Sequence, residues 1–294
     1  MGPPTENSAS PSPIDRRAAA GLMGPLTGLV ALAGSAILAV DRTRMRVDGK
    51  ADGSPVTEAD LAADRIIADG LHRLAPDIPA LSEERVAQAR AGCAEVFFLI
   101  DPLDGTKEFV AGRNEFTVNL ALVVKGTPLL GIIGAPALGL IWRGLVGQGA
   151  ERLATGQGSG QGSEQGNEHG FGPPQPIRTR PFPPPGHPWI AAVSRSHGDA
   201  ATEAFIDRRP GAIRERLGSA IKLAKVAEGA VDIYPRLAPT SEWDIAAGHA
   251  VVTAAGGKIT DATGGELRFG QGTKKGAKDF IVPAFIAWGD PRAA

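Results

Sequence analysis

The apolar positions of this chain fall into stretches with two different periods. Across residues 18–40, Leu22, Leu26, Val30, Ile37 and Val40 recur at roughly helical spacing. Gly21, Gly24, Pro25, Gly28, Gly34 and Ser35 interrupt the stretch, which reads as a core helix rather than a signal peptide or membrane span. Leu61, Ile67, Leu71 and Leu74 share one face of a second helix, and Thr57 with Asp60 forms the capping-box pattern that starts it. Residues 96–100, Val-Phe-Phe-Leu-Ile, are a short apolar run bounded by Pro102 and Gly105, the pattern of a strand buried on both faces. Strands over 116–124, 129–135 and 140–146, separated by Gly- and Pro-bearing connections, predict an antiparallel meander.

The second half alternates differently. A strand over 189–193, a helix over 200–206 and a strand near Ile213 lead into residues 217–229, whose cap, apolar face and terminal Gly229 make the clearest helix pattern in the chain. A strand over 231–234, a helix from Glu242 to about Ala254 and a strand over 258–260 complete an α/β alternation. Between the halves, seven glycines fall in 156–172 and a Pro-rich run follows over 173–188. Such a composition cannot offset the entropy of ordering, so 155–188 is expected to be a flexible insertion, with a short strand at Ile177-Arg178-Thr179. The expected organisation is a disordered tail over 1–17, an α+β lobe over 18–154, the insertion, and an α/β lobe over 189–294.

Composition narrows the function classes. With 294 residues the chain can bury one large core or two smaller lobes. Charged residues make up 21% and the formal net charge is -1, which argues against nonspecific nucleic-acid binding while leaving room for a local basic pocket. The single cysteine, Cys93, cannot form an intramolecular disulfide.

The candidate chemistry is acidic. Pro102 and Gly105 make a rigid turn that presents Asp101 and Asp104 at the end of the 96–100 strand. Two anions about 4 Å apart repel by about 4 kcal/mol at an effective dielectric near 20, so a cation belongs between them. The turn itself holds no Arg or Lys, which leaves a hard metal ion, although Asp-Pro and Asp-Gly are also ordinary turn formers. Ser82-Glu83-Glu84 ends another short strand, and Asp244 opens the Glu242 helix, where a lone acid would otherwise only complement the dipole. His249, in a run of Ala and Gly, reads as a packed side chain rather than a catalytic one.

Taken together, Thr57-Glu58-Ala59-Asp60, Ser82-Glu83-Glu84, Asp101-Pro102-Leu103-Asp104-Gly105-Thr106 and Trp243-Asp244-Ile245-Ala246-Ala247-Gly248 resemble the inositol monophosphatase superfamily. Leu81-Ser82-Glu83-Glu84, Asp104-Gly105-Thr106-Lys107-Glu108-Phe109, Ser194-Arg195-Ser196-His197, Gly218-Ser219 and Tyr234-Pro235-Arg236 are most similar to its bacterial CysQ branch, the 3'(2'),5'-bisphosphate nucleotidases. The resemblance spans about residues 54–285, apart from the Gly/Pro insertion. It implies an α+β fold, the layered αβαβα sandwich of the sugar phosphatase type, and a Mg²⁺-dependent, lithium-sensitive phosphatase.

By that resemblance, Glu83, Asp101 and the Leu103 carbonyl would hold one Mg²⁺, and Asp101, Asp104 and Asp244 a second. Thr106, paired with Asp60, would orient and deprotonate the attacking water, and Glu84 would bind a third, weaker ion through water. Substrate would touch Glu83, Leu103, Asp104, Gly105, Thr106 and Asp244, with Ser194, His197, Gly218 and Lys222 forming the nucleotide pocket. For His197 a helix cap, and for Lys222 a solvated helical lysine, are the alternatives. The implied reaction is hydrolysis of the 3'-phosphate of adenosine 3',5'-bisphosphate, and of its 5'-phosphosulfate relative, clearing a by-product of sulfate assimilation. The competing readings are an inositol or sugar phosphate monoesterase, and a catalytically silent scaffold that uses the Pro-rich insertion. The expected setting is cytoplasmic, with relatives that can sit peripherally on the inner membrane, and a monomer or homodimer fits equally.

Overall fold

Alternate side chains of one central strand face two different cores. In the computed structural model, which describes residues 14–49, 55–88, 94–156, 170–196, 198–271 and 280–294, strand Val96–Asp104 sends Phe98 and Ile100 to one side and Phe97 and Leu99 to the other. Successive strand residues point to opposite faces, so an unbroken apolar run requires cover on both.

In chain order the helices are α1 (Arg16–Ala39), α2 (Glu58–Leu74), α3 (Thr106–Val110), α4 (Ala200–Asp207), α5 (Ile221–Ala227) and α6 (Glu242–Ala254). The strands of the first half are β1 (Val47–Gly49), β2 (Pro55–Thr57), β3 (Ala80–Ser82), β4 (Val96–Asp104), β5 (Thr117–Val124), β6 (Thr127–Ala135), β7 (Leu140–Leu145), β8 (Gly149–Ala154) and β9 (Gln175–Ile177). Those of the second are β10 (Ile190–Ser194), β11 (Ile213–Leu217), β12 (Ile233–Arg236), β13 (Thr240–Ser241), β14 (Lys258–Asp261), β15 (Ile281–Val282) and β16 (Phe285–Trp288).

β3 to β9 make one sheet in sequence order, parallel only between β3 and β4. The second sheet has the order β11-β10-β12-β16-β14, with β10 parallel to both neighbours and β16 antiparallel to both of its own. α1 and α2 cover one face of the large sheet through Leu26, Val30, Ile37, Ile67 and Leu71. α5 and α6 fill the space between the sheets, and Ile206 of α4 packs on the far face of the second with Ala191, Val193 and Ile233. The result is the expected αβαβα layering.

Local signals explain the helix starts. Asp15 accepts from Ala18 N at 2.7 Å ahead of α1, and Thr57 with Asp60 forms the capping box of α2. α1 is long and apolar enough to cross a membrane, and here it lays one face on α2 and the sheet. α6 approaches the sheet so closely that a Cβ added at Gly131 would lie 2.1 Å from the Ala247 carbonyl oxygen. Gly131→Ala is therefore expected to cost about 1–3 kcal/mol of stability, read as a lower urea midpoint at unchanged slope. An unaltered midpoint would mean that α6 moves outward freely.

Three expectations need correction. The 217–229 helix begins only at Ile221, and Ser219 is not its cap: Ser219 has φ +50 and directs its hydroxyl to the Asp104 and Glu115 carbonyls. Long-range hydrogen bonds outcompete the local cap at that position. The strand expected at 231–234 lies at Ile233–Arg236. β16, which sits between β12 and β14, has no counterpart in the sequence reading. Within the segment read as an insertion, β9 pairs with β8, Phe171 is buried, and Arg180 Nε donates to Asp232 Oδ1 at 2.6 Å. Residues 157–169, and the N-terminal 1–13, lie outside the described residues.

Candidate active site

The Asp101-Pro102-Leu103-Asp104 segment is a bulge inside β4, not a turn beyond it. β4 pairs with β5 residue by residue as far as Asp101 opposite Asn119, after which Asp104 lies opposite Thr117. Three steps on one strand thus meet two on the other, the signature of a β-bulge. Pro102, with no N–H to give to the ladder, suits that break. Leu103 N donates back to Asp101 Oδ1 at 3.0 Å, and the Leu103 side chain is buried. Gly105 then takes φ +93 to start α3, and a Cβ there would lie 2.3 Å from Ser219 Oγ, so the position needs glycine on both counts.

The bulge and the start of α6 bring three acids together. Asp101, Asp104 and Asp244 each offer a carboxylate oxygen within 4.8 Å of the others. Asp244 is fixed by a second capping box, with Ser241, and by Thr240 Oγ1, which donates to its Oδ2 at 2.5 Å. Asp104 Oδ2 accepts from Asn119 Nδ2 at 3.3 Å and from Thr117 Oγ1 at 3.4 Å. Burial, and after it the charge of Asp244, pushes the Asp104 carboxyl up to about 7. Burial first and Glu83 second raise Asp244 as well. Crowded, desolvated carboxylates resist ionisation until a cation joins them, and this set of hard oxygen donors fits an ion of the Mg²⁺ kind. Glu83 opens a 3-10 turn, Glu83–Gln88, directly after β3 and lines the same cavity, although it lies outside the 4.8 Å set. Glu84 follows it on that turn and is not among the described residues lining the cavity.

Behind the acids sits a hydroxyl held from two sides. Thr106 Oγ1 lies 2.9 Å from Asp60 Oδ1 and 3.1 Å from the Leu103 carbonyl, which share its proton. Asp60 Oδ2 accepts from Thr57 N at 2.8 Å and Thr57 Oγ1 at 2.6 Å. One buried carboxylate therefore caps α2 with one oxygen and orients Thr106 with the other.

Of these groups Glu83, Asp104, Thr106 and Asp244 line a cavity of 240 Å³, which basic side chains and the Glu108 carboxylate also line. Lys222 is buried there, with Nζ donating to the Ser219 carbonyl at 2.6 Å and lying 5.3 Å from the Tyr234 ring centroid. Burial lowers its pKa to about 8, and the charge of Asp104 works in the opposite direction. Lys107, Arg236, Ser194 and Gly218 line the same space. A larger, mostly apolar groove of 1170 Å³ runs along α1 and α2, and among the described residues no carboxylate lines it.

The sequence model of the Inositol monophosphatase family matches residues 23–285. The chain belongs to that family. It is 40% identical over 241 residues to the 3'(2'),5'-bisphosphate nucleotidase CysQ of Shigella flexneri, which covers 81% of this chain and 89% of the relative. The CysQ of Escherichia coli K12 is 39% identical over the same shares. The crystal structure of CysQ from Bacteroides thetaiotaomicron superposes with a TM-score of 0.69 at 31% identity, over 92% of this chain and 97% of that one. The protein is thus a phosphatase of a metal-dependent family.

Within this inositol monophosphatase fold, most of the residues singled out from the sequence converge. Glu83, Asp104, Gly105, Thr106, Ser194, Gly218, Lys222 and Asp244 line one cavity, and Asp60, Asp101 and Leu103 touch its walls from behind. His197 lies outside the described residues. His249 packs edge-on to Phe269 at 5.5 Å, and burial lowers its pKa to about 4, so it is neutral and structural. Sequence reasoning missed Thr240, Thr117 and the parts played by Ser219 and Asn119. Only the Ser241/Asp244 capping box carried a local signal; the other contacts depend on how strands and lobes meet.

Proposed function

We propose that this phosphatase removes the 3'-phosphate of adenosine 3',5'-bisphosphate, releasing AMP and phosphate, and so clears a by-product of sulfate assimilation. The observation that carries the reading is a single cavity lined both by acids of the three-carboxylate set, Asp104 and Asp244, and by the buried Lys222. A substrate with two phosphates has a use for both. The printed names of the relatives, bisphosphate nucleotidases at about 40% identity over most of the chain, support the same substrate class.

In this reading Glu83, Asp101, Asp104, Asp244 and the Leu103 carbonyl would hold two Mg²⁺. Bound ions of this kind neutralise phosphoryl charge and make a water molecule more acidic. Thr106 Oγ1, whose proton faces Asp60 Oδ1, presents its lone pairs to the attacking water and passes that proton toward Asp60. The Gly105 and Thr106 N–H groups face the scissile phosphate as donors. Lys222 receives the 5'-phosphate, while Ser194 and Gly218 leave room for the nucleoside.

The deciding experiment compares turnover of adenosine 3',5'-bisphosphate and myo-inositol 1-phosphate by the purified protein with Mg²⁺. The bisphosphate is expected to be the faster substrate, and faster inositol ester hydrolysis overturns the assignment. Chelation should stop phosphate release and Mg²⁺ should restore it. A rate that survives exhaustive chelation would exclude the metal requirement.

A further inference from the structure

The Asp104 bulge and Lys222 come from different parts of the chain, and Glu115 makes contacts that tie them together. Glu115 lies between α3 and β5, two residues before the strand that backs Asp104. Its Oε2 accepts from Arg195 Nε at 2.7 Å and from Gly218 N at 3.0 Å, while Oε1 accepts from Arg195 Nη2 at 2.8 Å. Arg195, just after β10, also donates Nη2 to the Arg216 carbonyl at 2.6 Å. One carboxylate therefore gathers the ends of β10 and β11. The main-chain carbonyl of the same Glu115 lies 2.8 Å from Ser219 Oγ, whose proton it shares with the Asp104 carbonyl at 2.9 Å. Ser219 is held at φ +50, a conformation a non-glycine residue seldom keeps without support, and its own carbonyl is the acceptor for Lys222 Nζ.

We propose that Glu115 is a positioning residue that sets the separation of Lys222 from the Asp104 bulge, and so selects a substrate that reaches both. The proposal rests on the bisphosphate reading above. A ligand gripped at two points gains affinity only when those points are held at its own span. A ligand held at the acids alone is indifferent to where Lys222 stands. Arg195 engages Glu115 as a two-pronged, charge-assisted fork, so removing the carboxylate frees Arg195 and the Gly218 N–H together.

Glu115→Ala, Glu115→Gln and Arg195→Gln would be assayed on adenosine 3',5'-bisphosphate and on adenosine 3'-monophosphate, with amide hydrogen exchange on the same proteins. Glu115→Ala is expected to raise KM for the bisphosphate about tenfold, the scale of losing hydrogen bonds to a charged group. Its kcat, and the specificity constant for the monophosphate, should change little. Glu115→Gln keeps an oxygen for the Gly218 N–H and should fall between, and Arg195→Gln should shift KM the same way, even if Glu115→Ala folds poorly. Equal losses on the two esters, or a drop in kcat at constant KM, overturn the proposal. Amides of residues 217–222 should exchange faster in Glu115→Ala while those of β5 to β7 do not, and unaltered exchange at 217–222 overturns it independently. Should the unmutated protein hydrolyse neither ester, the functional reading fails and exchange alone judges the tie.

Discussion

Asp101→Asn is expected to abolish phosphate release, lowering kcat by about a thousandfold or more, while the fold survives. The carboxylate is buried in the three-acid set, and Asn removes one anionic donor from the oxygens that would hold a cation. An asparagine Oδ1 can still accept the Leu103 N–H, so the bulge keeps its internal hydrogen bond. The ion-dependent part of stability should then vanish. At about 100 times Kd, a bound ion contributes about 2.7 kcal/mol, a shift of several degrees that Mg²⁺ should produce in the parent and not in Asp101→Asn. Parent-like turnover, or a retained Mg²⁺ shift, would count against the acid set as the metal centre.

Thr106→Ala should lower kcat by about 10²–10³, the range for losing a positioned proton-transfer group, with KM little changed. Its hydroxyl lines the cavity and hydrogen-bonds Asp60 behind it. Thr106→Ser, which keeps the Oγ, should recover most of the rate. Asp60→Asn would be a less clean probe, because Asp60 also accepts both Thr57 donors at the start of α2 and its loss should cost about 1 kcal/mol of stability. A Thr106→Ala enzyme with unchanged kcat and raised KM would make the hydroxyl a binding group instead.

The two variants probe parts of the site that were unequally visible beforehand. Asp60 could be placed from four consecutive residues, since a capping box closes within one helical turn. Its second oxygen, turned to Thr106 46 residues away, has no local trace. The acids were identifiable as residues, but their shared geometry was misread: a turn was expected where β4 continues through a bulge. Register depends on the partner strand, and Asn119 and Thr117 are what place Asp104.

Ser219 is the sharpest case. Ahead of an apolar, helix-forming run it has every feature of an N-cap, yet its hydroxyl goes to carbonyls more than 100 residues away and its backbone turns to φ +50. Apolar period, caps and breakers established the five longer helices, most strands of the two main sheets, the double burial of β4 and the identities of the acids, because each is settled between near neighbours along the chain. Which of those acids meet, that Lys222 lines the same cavity, and that Glu115 reaches Gly218 were settled by packing α6 onto the sheet and β10 and β11 against the bulge. Contacts of that reach come from the pairing of distant surfaces, and no window of sequence contains both partners.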